Sequence, residues 1–239
     1  MKYLIFIVIL FSFTGCSEWD VFSDEEIEKT YDKLADFNQI HVDGIFEIEL
    51  IQSENTKIVF RGTKKQYESF KISVKDKKLN IRLKKTSLLK SNYSKAKLEI
   101  HKNSFNQFWI YGPVNLYSRD TIKTDMFKVY HINEVADIDL KLETRVFGVN
   151  GQENSAGKYN FQGNTKTFNI RLRGTSSINA ENLKASKVKV EQISIGDIWV
   201  NSQEKLKVSS FNSGDVYYSG NPQEIEIDLN STGQVFNMQ

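Results

Sequence analysis

Val188-Lys189-Val190-Glu191-Gln192-Ile193-Ser194-Ile195-Gly196-Asp197-Ile198-Trp199-Val200 and Leu206-Lys207-Val208-Ser209-Ser210-Phe211-Asn212-Ser213-Gly214-Asp215-Val216-Tyr217-Tyr218 decide the fold. Each stretch opens with an aliphatic–polar–aliphatic run, passes a Gly-Asp pair and closes with a second alternating run. Alternation puts apolar and polar side chains on opposite faces, as a half-buried strand requires. In both stretches the second run starts ten residues after the first. A shared offset of this kind points to units laid over one another.

The same layout extends in both directions. Phe127, Phe147, Phe168, Val188, Leu206 and Ile225 open first runs, at spacings of 20, 21, 20, 18 and 19 residues. Second runs open at Ile138, Tyr159, Ile178, Ile198, Val216 and Val235, and Phe108 and Ile110 begin a further, irregular unit. A unit this short cannot close a core alone, but stacked units can bury a continuous one. Strands lying over their equivalents pair at about 4.8 Å and line up like residues in columns. Gly157, Gly196, Gly214 and Gly233 precede the second runs, where a corner with positive φ would favour glycine. The competing arrangement is an antiparallel sandwich, which also has short strands at similar intervals. Constant offsets favour a solenoid of about 20-residue coils, right-handed by the chirality of parallel crossovers.

Upstream, Phe46 to Leu50 and Phe70 to Val74 alternate, and Leu79, Ile81 and Leu83 resume after a polar turn, giving an expected hairpin. The all-β layout is therefore a signal segment (1–15), an acidic tether (16–36), a small hairpin-rich β unit (37–102) and β-solenoid repeats (103–239), with 37–239 read as one domain.

The first sixteen residues read MKYLIFIVILFSFTGC. A lysine precedes an apolar run too short to span a bilayer, and Thr14-Gly15 leads into the only cysteine. This resembles a bacterial lipoprotein signal, with Phe13 where leucine is usual, and implies lipidation at Cys16. The expected place is the cell envelope, on the outer membrane through the lipid anchor. Glu18, Asp20, Asp24, Glu25, Glu26 and Glu28 follow. They fit either a surface-export signal or an ordinary solvated tether.

Composition narrows the function classes. The 239 residues carry 32 Lys+Arg against 30 Asp+Glu, a net charge of +2, which excludes a strongly basic nucleic-acid binder. One Cys excludes a disulfide framework, and three scattered His make a His-based metal site improbable. No phosphate loop, dinucleotide fingerprint, zinc-protease motif or Ser/His/Asp triad is present, and no cofactor is expected.

The strand pair around Val42-Asp43-Gly44-Ile45-Phe46, the hairpin, and the closing Ser213-Gly214-Asp215-Val216-Tyr217-Tyr218-Ser219-Gly220-Asn221-Pro222 resemble the putative auto-transporter adhesin, head GIN domain family, common among Bacteroidota lipoproteins. The resemblance implies a β-helix-like fold with an adhesive or surface role, and brings no catalytic residues. The turns Ile132-Asn133-Glu134-Val135 and Thr175-Ser176-Ser177 depart from the family's small Ser-Gly loops.

Three constellations stand out. Asp137, Lys158, Ser177, Asp197, Asp215 and Gln234 align in one column, making Asp197 and Asp215 neighbours. They would either share a weakly held calcium ion or accept local backbone N–H groups. Trp199, Tyr217 and Phe236 form an outward column, suited to stacking on sugar rings or to protein contact unless other chain covers it. Lysines from Lys64 to Lys102 form a basic band, either an anion-binding surface or the wet face of an edge-rich sheet. The expected function is a non-enzymatic binding or structural role, with a glycan or surface protein as partner. A polysaccharide-acting β-helix enzyme is the alternative. Ligand identity and oligomeric state are not legible.

Overall fold

The computed structural model describes residues 25–84 and 95–238, and strands dominate it. In chain order they are β1 (Glu26–Tyr31), β2 (Gln39–Asp43), β3 (Phe46–Gln52), β4 (Lys57–Thr63), helix α1 (Lys64–Ser69), β5 (Phe70–Lys75), β6 (Lys78–Leu83), β7 (Ala96–Lys102), β8 (Gln107–Ile110) and β9 (Val114–Ser118). There follow β10 (Ile122–Ala156), β11 (Lys158–Gly174), β12 (Ser177–Ser194), β13 (Ile198–Ser210), β14 (Val216–Ser219), β15 (Glu224–Leu229) and β16 (Val235–Asn237). The longest, β10 to β13, each turn corners and serve two faces.

The coils stack in parallel register. On the face built from first runs, the leading face, Phe147 pairs Phe168, then Val188, Leu206 and Ile225. On the trailing face Ile138 pairs Tyr159, then Ile178, Ile198, Val216 and Val235. Strand pairs from β8 onward are parallel, so the molecule is a β-solenoid and not a sandwich.

Phe127, Phe147 and Phe168 are fully buried, and their rings follow one another at 6.2 and 5.1 Å inside the stack. Burying each side chain of this size contributes roughly 1.5–3 kcal/mol, which only the stacked arrangement makes possible.

The corners need glycine for two different reasons. Gly157 has φ +139°. Gly196 is required by close approach instead, since a Cβ there would lie 2.2 Å from the Ser176 carbonyl oxygen. Gly214 and Gly233 repeat that second pattern, so the expected positive φ holds at Gly157 alone of the four. Buried hydroxyls complete the corner: Ser194 Oγ donates to the Ser176 carbonyl at 2.9 Å.

Residues 37–102 are more than a prelude to the solenoid. The expected hairpin is there, β5 with β6, turning through Asp76 and Lys77 at positive φ. But Val42, Gly44 and Phe46 do not bring β2 and β3 together as a pair. Instead β2 lies parallel to β6 and β8, and β3 lies parallel to β7 and β9. Two coils of the stack therefore come from this region, one from β6 and β7 and the next from β2 and β3. The chain builds the second coil before the first.

Antiparallel strands finish this end, with β4 pairing β7 and β1 pairing β4. The helix α1 connects β4 to β5 and starts at a capping box between Thr63 and Gln66. Strand β1 falls within the stretch expected to be tether. Its Glu28 accepts from Arg61 at 2.7 Å, and Arg61 also pairs with Glu99. The signal segment and Cys16 lie outside the described residues.

The expected basic band is broken up by the fold. Lys71 and Lys75 lie on β5, at the end of the leading face, whereas Lys97 and Lys102 lie on β7 of the trailing face. Lys102 is buried, 3.2 Å from Asp36 and over the Phe37 ring at 4.6 Å. Lys95 donates to Asn115 at 2.7 Å. Lys85 and Lys90 lie outside the described residues.

Candidate ligand-binding faces

Trp199 on β13, Tyr217 on β14 and Phe236 on β16 occupy equivalent positions of successive coils. Their neighbours Ile198, Val200 and Val216 turn inward and are fully buried, so the rings point out. Trp199 and Tyr217 stack with centroids 5.1 Å apart and planes 9° apart, and Tyr217 and Phe236 with 5.1 Å and 18°. Trp199 and Tyr217 are half-buried, while Phe236 is 42% exposed. The column continues through Asn179 and Asn160, beside a groove of about 180 Å³ lined by Asn160, Gln162, Asn179 and Asn182. Stacked rings next to amide side chains offer an apolar strip of ring edges and hydrogen bonds to hydroxyl-rich ligands.

The carboxylates beside this ladder serve the backbone. Asp197 Oδ1 accepts the Asp215 N–H at 2.9 Å, and Asp215 Oδ1 accepts the Gln234 N–H at 2.8 Å. Asp137 accepts the Lys158 N–H at 3.1 Å in the same way. Asp197 and Asp215 are thus neighbours as expected, each tied to an amide of the next coil. No group of three His, Cys, Asp or Glu side chains able to hold a metal occurs among the described residues. The Tyr217 hydroxyl donates to Asp215 Oδ2 at 3.3 Å. Partial desolvation, then the nearby Asp215 and Asp197 charges, raise its pKa and keep it a donor.

A second outward ladder crosses the leading face. His41 on β2 lies 5.3 Å from Trp109 on β8, with planes 6° apart, and Trp109 lies 3.9 Å from Tyr130 on β10, with planes 12° apart. Sequence alignment of the repeats did not find it. Trp109 and Tyr130 belong to adjacent coils and could have been aligned from the irregular unit at Phe108. His41 could not, because contacts between its coil and the β8–β9 coil span about 70 residues. Burial, and then the Lys78 charge, lower the His41 pKa, so the ring stacks as a neutral imidazole near pH 7. Below it, Asp43, Asn80, Arg82 and Tyr111 enclose a pocket of about 240 Å³ with His41.

Above Tyr130 a larger groove of about 340 Å³ opens over Gly148, which follows Lys128 in the neighbouring outward column. On the trailing face Asp137, Asp139, Lys158 and Tyr117 border a groove of about 310 Å³. There Asp137 is already engaged by the Lys158 amide.

The model of the family described as putative auto-transporter adhesin, head GIN domain matches residues 36–222. The chain belongs to this family. The head GIN match covers every coil except that of β15 and β16, so Phe236 lies beyond it. Solved structures share the fold. A protein named a putative adhesin from Bacteroides fragilis NCTC 9343 is 22% identical with a TM-score of 0.83, covering 90% of this chain and 98% of its own. A putative adhesin from Parabacteroides distasonis ATCC 8503 is 18% identical with a TM-score of 0.63, covering 90% and 98%. A protein named a putative lipid binding protein from the same strain is 15% identical with a TM-score of 0.68, covering 91% and 98%. No curated protein matches the chain.

Proposed function

We propose that this head GIN protein is a lipid-anchored envelope protein that binds hydroxyl-rich ligands, glycans foremost, on the Trp199–Tyr217–Phe236 face without catalysis. The stacked ladder carries the reading. Three near-parallel rings stacked at one coil spacing present a continuous apolar strip of ring edges, the amides of Asn179 and Asn160 continue its line, and Asn182 lies beside them. Sugar rings bind to such strips through their apolar faces while their hydroxyls reach the polar border. Family membership supports an adhesin-like role. Lipidation at Cys16 and an outer-membrane position follow from the signal-like first sixteen residues.

A glycan screen of the purified protein, with degradation of each hit followed, tests the binding reading. Binding without cleavage that is lost in Trp199→Ala, at an unchanged melting temperature, is the expected result. Equal binding by Trp199→Ala removes this face from the proposal, and cleavage of a hit replaces it with the polysaccharide-acting enzyme. Cys16→Ser should move the protein from the membrane fraction to the soluble one; an unmoved protein refutes the anchor.

A further inference from the structure

We propose that the groove above Tyr130 binds an anionic saccharide, one sugar ring entering over Gly148 against the Tyr130 end of the His41–Trp109–Tyr130 ladder and carboxylates along the saccharide meeting Lys128, Lys189 and Arg171. The site lies on the leading face and does not rest on the Trp199 reading.

Outward rings at His41, Trp109 and Tyr130 stack coil on coil. One coil further the equivalent position is Asn150, whose amide oxygen accepts from Gln152 at 2.9 Å. The ring ladder stops there. Because Trp109 covers one face of Tyr130, the other faces the coil that holds Asn150 and Gly148. A planar or chair-shaped ring entering over Gly148, beside Asn150, would meet that free face.

Gly148 supplies the space. It sits between Lys128 on one coil and Asn169 on the next, and the groove over it measures about 340 Å³. That is the small end of the range for ligand sites, about 300–1,000 Å³. Glycine is not demanded here by the backbone, since its φ is not positive. A Cβ would press on the flexible Lys128 side chain, Cγ at 3.3 Å, and reach the Asn169 carbonyl oxygen only at ordinary contact, 3.8 Å. Its effect is to leave a notch.

The lining sets the charge of the occupant. Lys128, Arg171 and Lys189 border the notch against a single carboxylate, Glu191. Arg171 already pairs with Glu191, Nε to Oε2 at 2.9 Å, while Lys128 and Lys189 have no ion-pair partner among the described residues. Two unneutralised ammonium groups, Lys128 on the coil of Tyr130 and Lys189 three coils on, border the groove toward its two ends and suit an oligosaccharide bearing carboxylates. Asn169 on the floor adds a donor and an acceptor for hydroxyls.

Calorimetric titration of the purified protein with tri-galacturonic acid, and with galactotriose as the neutral counterpart, tests this. The acidic trisaccharide should bind and the neutral one should bind roughly tenfold more weakly or not at all. Gly148→Leu fills the notch, and Lys128→Gln with Lys189→Gln removes the free charge. Each should weaken acidic binding roughly tenfold or more at an unchanged melting temperature, and Tyr130→Ala should do the same. Running both titrations on the Trp199→Ala background as well as on wild type keeps saccharide held by the other face out of the comparison. Wild-type affinity in Gly148→Leu or Tyr130→Ala, equal affinity for the two trisaccharides, or no binding of the acid overturns the proposal.

Discussion

Inside the coil stack, His131 Nδ1 lies 2.5 Å from the Tyr159 hydroxyl, joining two coils through a fully buried polar chain. His131 Nε2 is 2.9 Å from the Asn133 carbonyl, which can only accept, so the proton sits on Nε2 and Nδ1 accepts from Tyr159. Tyr159 in turn meets Ser176 Oγ at 2.8 Å. Burial lowers the His131 pKa to about 4 and raises that of Tyr159 to about 12, so both are neutral near pH 7.

This neutral His131 predicts a pH window for stability. The unfolded chain protonates it near pH 6.5, whereas the folded chain resists to about pH 4. The unfolded state therefore binds the extra proton, and stability falls as pH drops through that interval, by up to about 3 kcal/mol. Above pH 6.5 the contribution is flat. Denaturant titrations of wild type and His131→Gln at pH 7.5 and pH 5 should show a smaller acid loss in the variant. Parallel losses would show that His131 is not the group responsible.

Phe147 is the middle ring of the interior column, touching Phe127, Phe161 and Phe168. Truncation leaves a cavity that strands fixed on both sides cannot collapse into. Phe147→Ala should cost about 3–5 kcal/mol in urea unfolding. A loss under 1 kcal/mol would mean that the coil interior repacks freely.

Gly196 and Gly148 offer a contrast between two glycines. A Cβ at Gly196 would strike the Ser176 carbonyl oxygen at 2.2 Å, a backbone atom, whereas at Gly148 it meets a movable lysine. Gly196→Ala should cost roughly 1–3 kcal/mol through overpacking, and Gly148→Ala little. Thermal melts of the pair check the order.

Asp215 takes the Gln234 N–H with an oxygen that asparagine also carries. Asp215→Asn should therefore hold stability, and Asp215→Ala should lose about 1 kcal/mol. If both lost equally, the charge rather than the accepted hydrogen bond would be the stabilising feature.

The solenoid from Phe127 onward was written in the sequence because each coil repeats the last. Val188 and Leu206, or Ile198 and Val216, stand at fixed offsets, and like positions stack only in a coil. The same periodicity placed Trp199, Tyr217 and Phe236 in one outward column, since alternation fixes which side of a strand a residue faces. It could not show what the Asp197–Asp215 column does. A carboxylate turned toward an amide and one turned toward a cation look alike as letters, and only the distances to the Asp215 and Gln234 nitrogens separate them.

Tertiary structure alone decided the early coils. Strands β2 and β3 find parallel partners far along the chain because the β4–α1–β5 segment and the β6–β7 coil are built in between. Stacking order then departs from chain order, and no fixed period survives to be read. Hence His41 joins Trp109 and Tyr130 only in three dimensions, and the notch over Gly148 exists only where four coils lie side by side. Local pattern sets which face of a strand is wet. Long-range pairing sets which wet residues become neighbours.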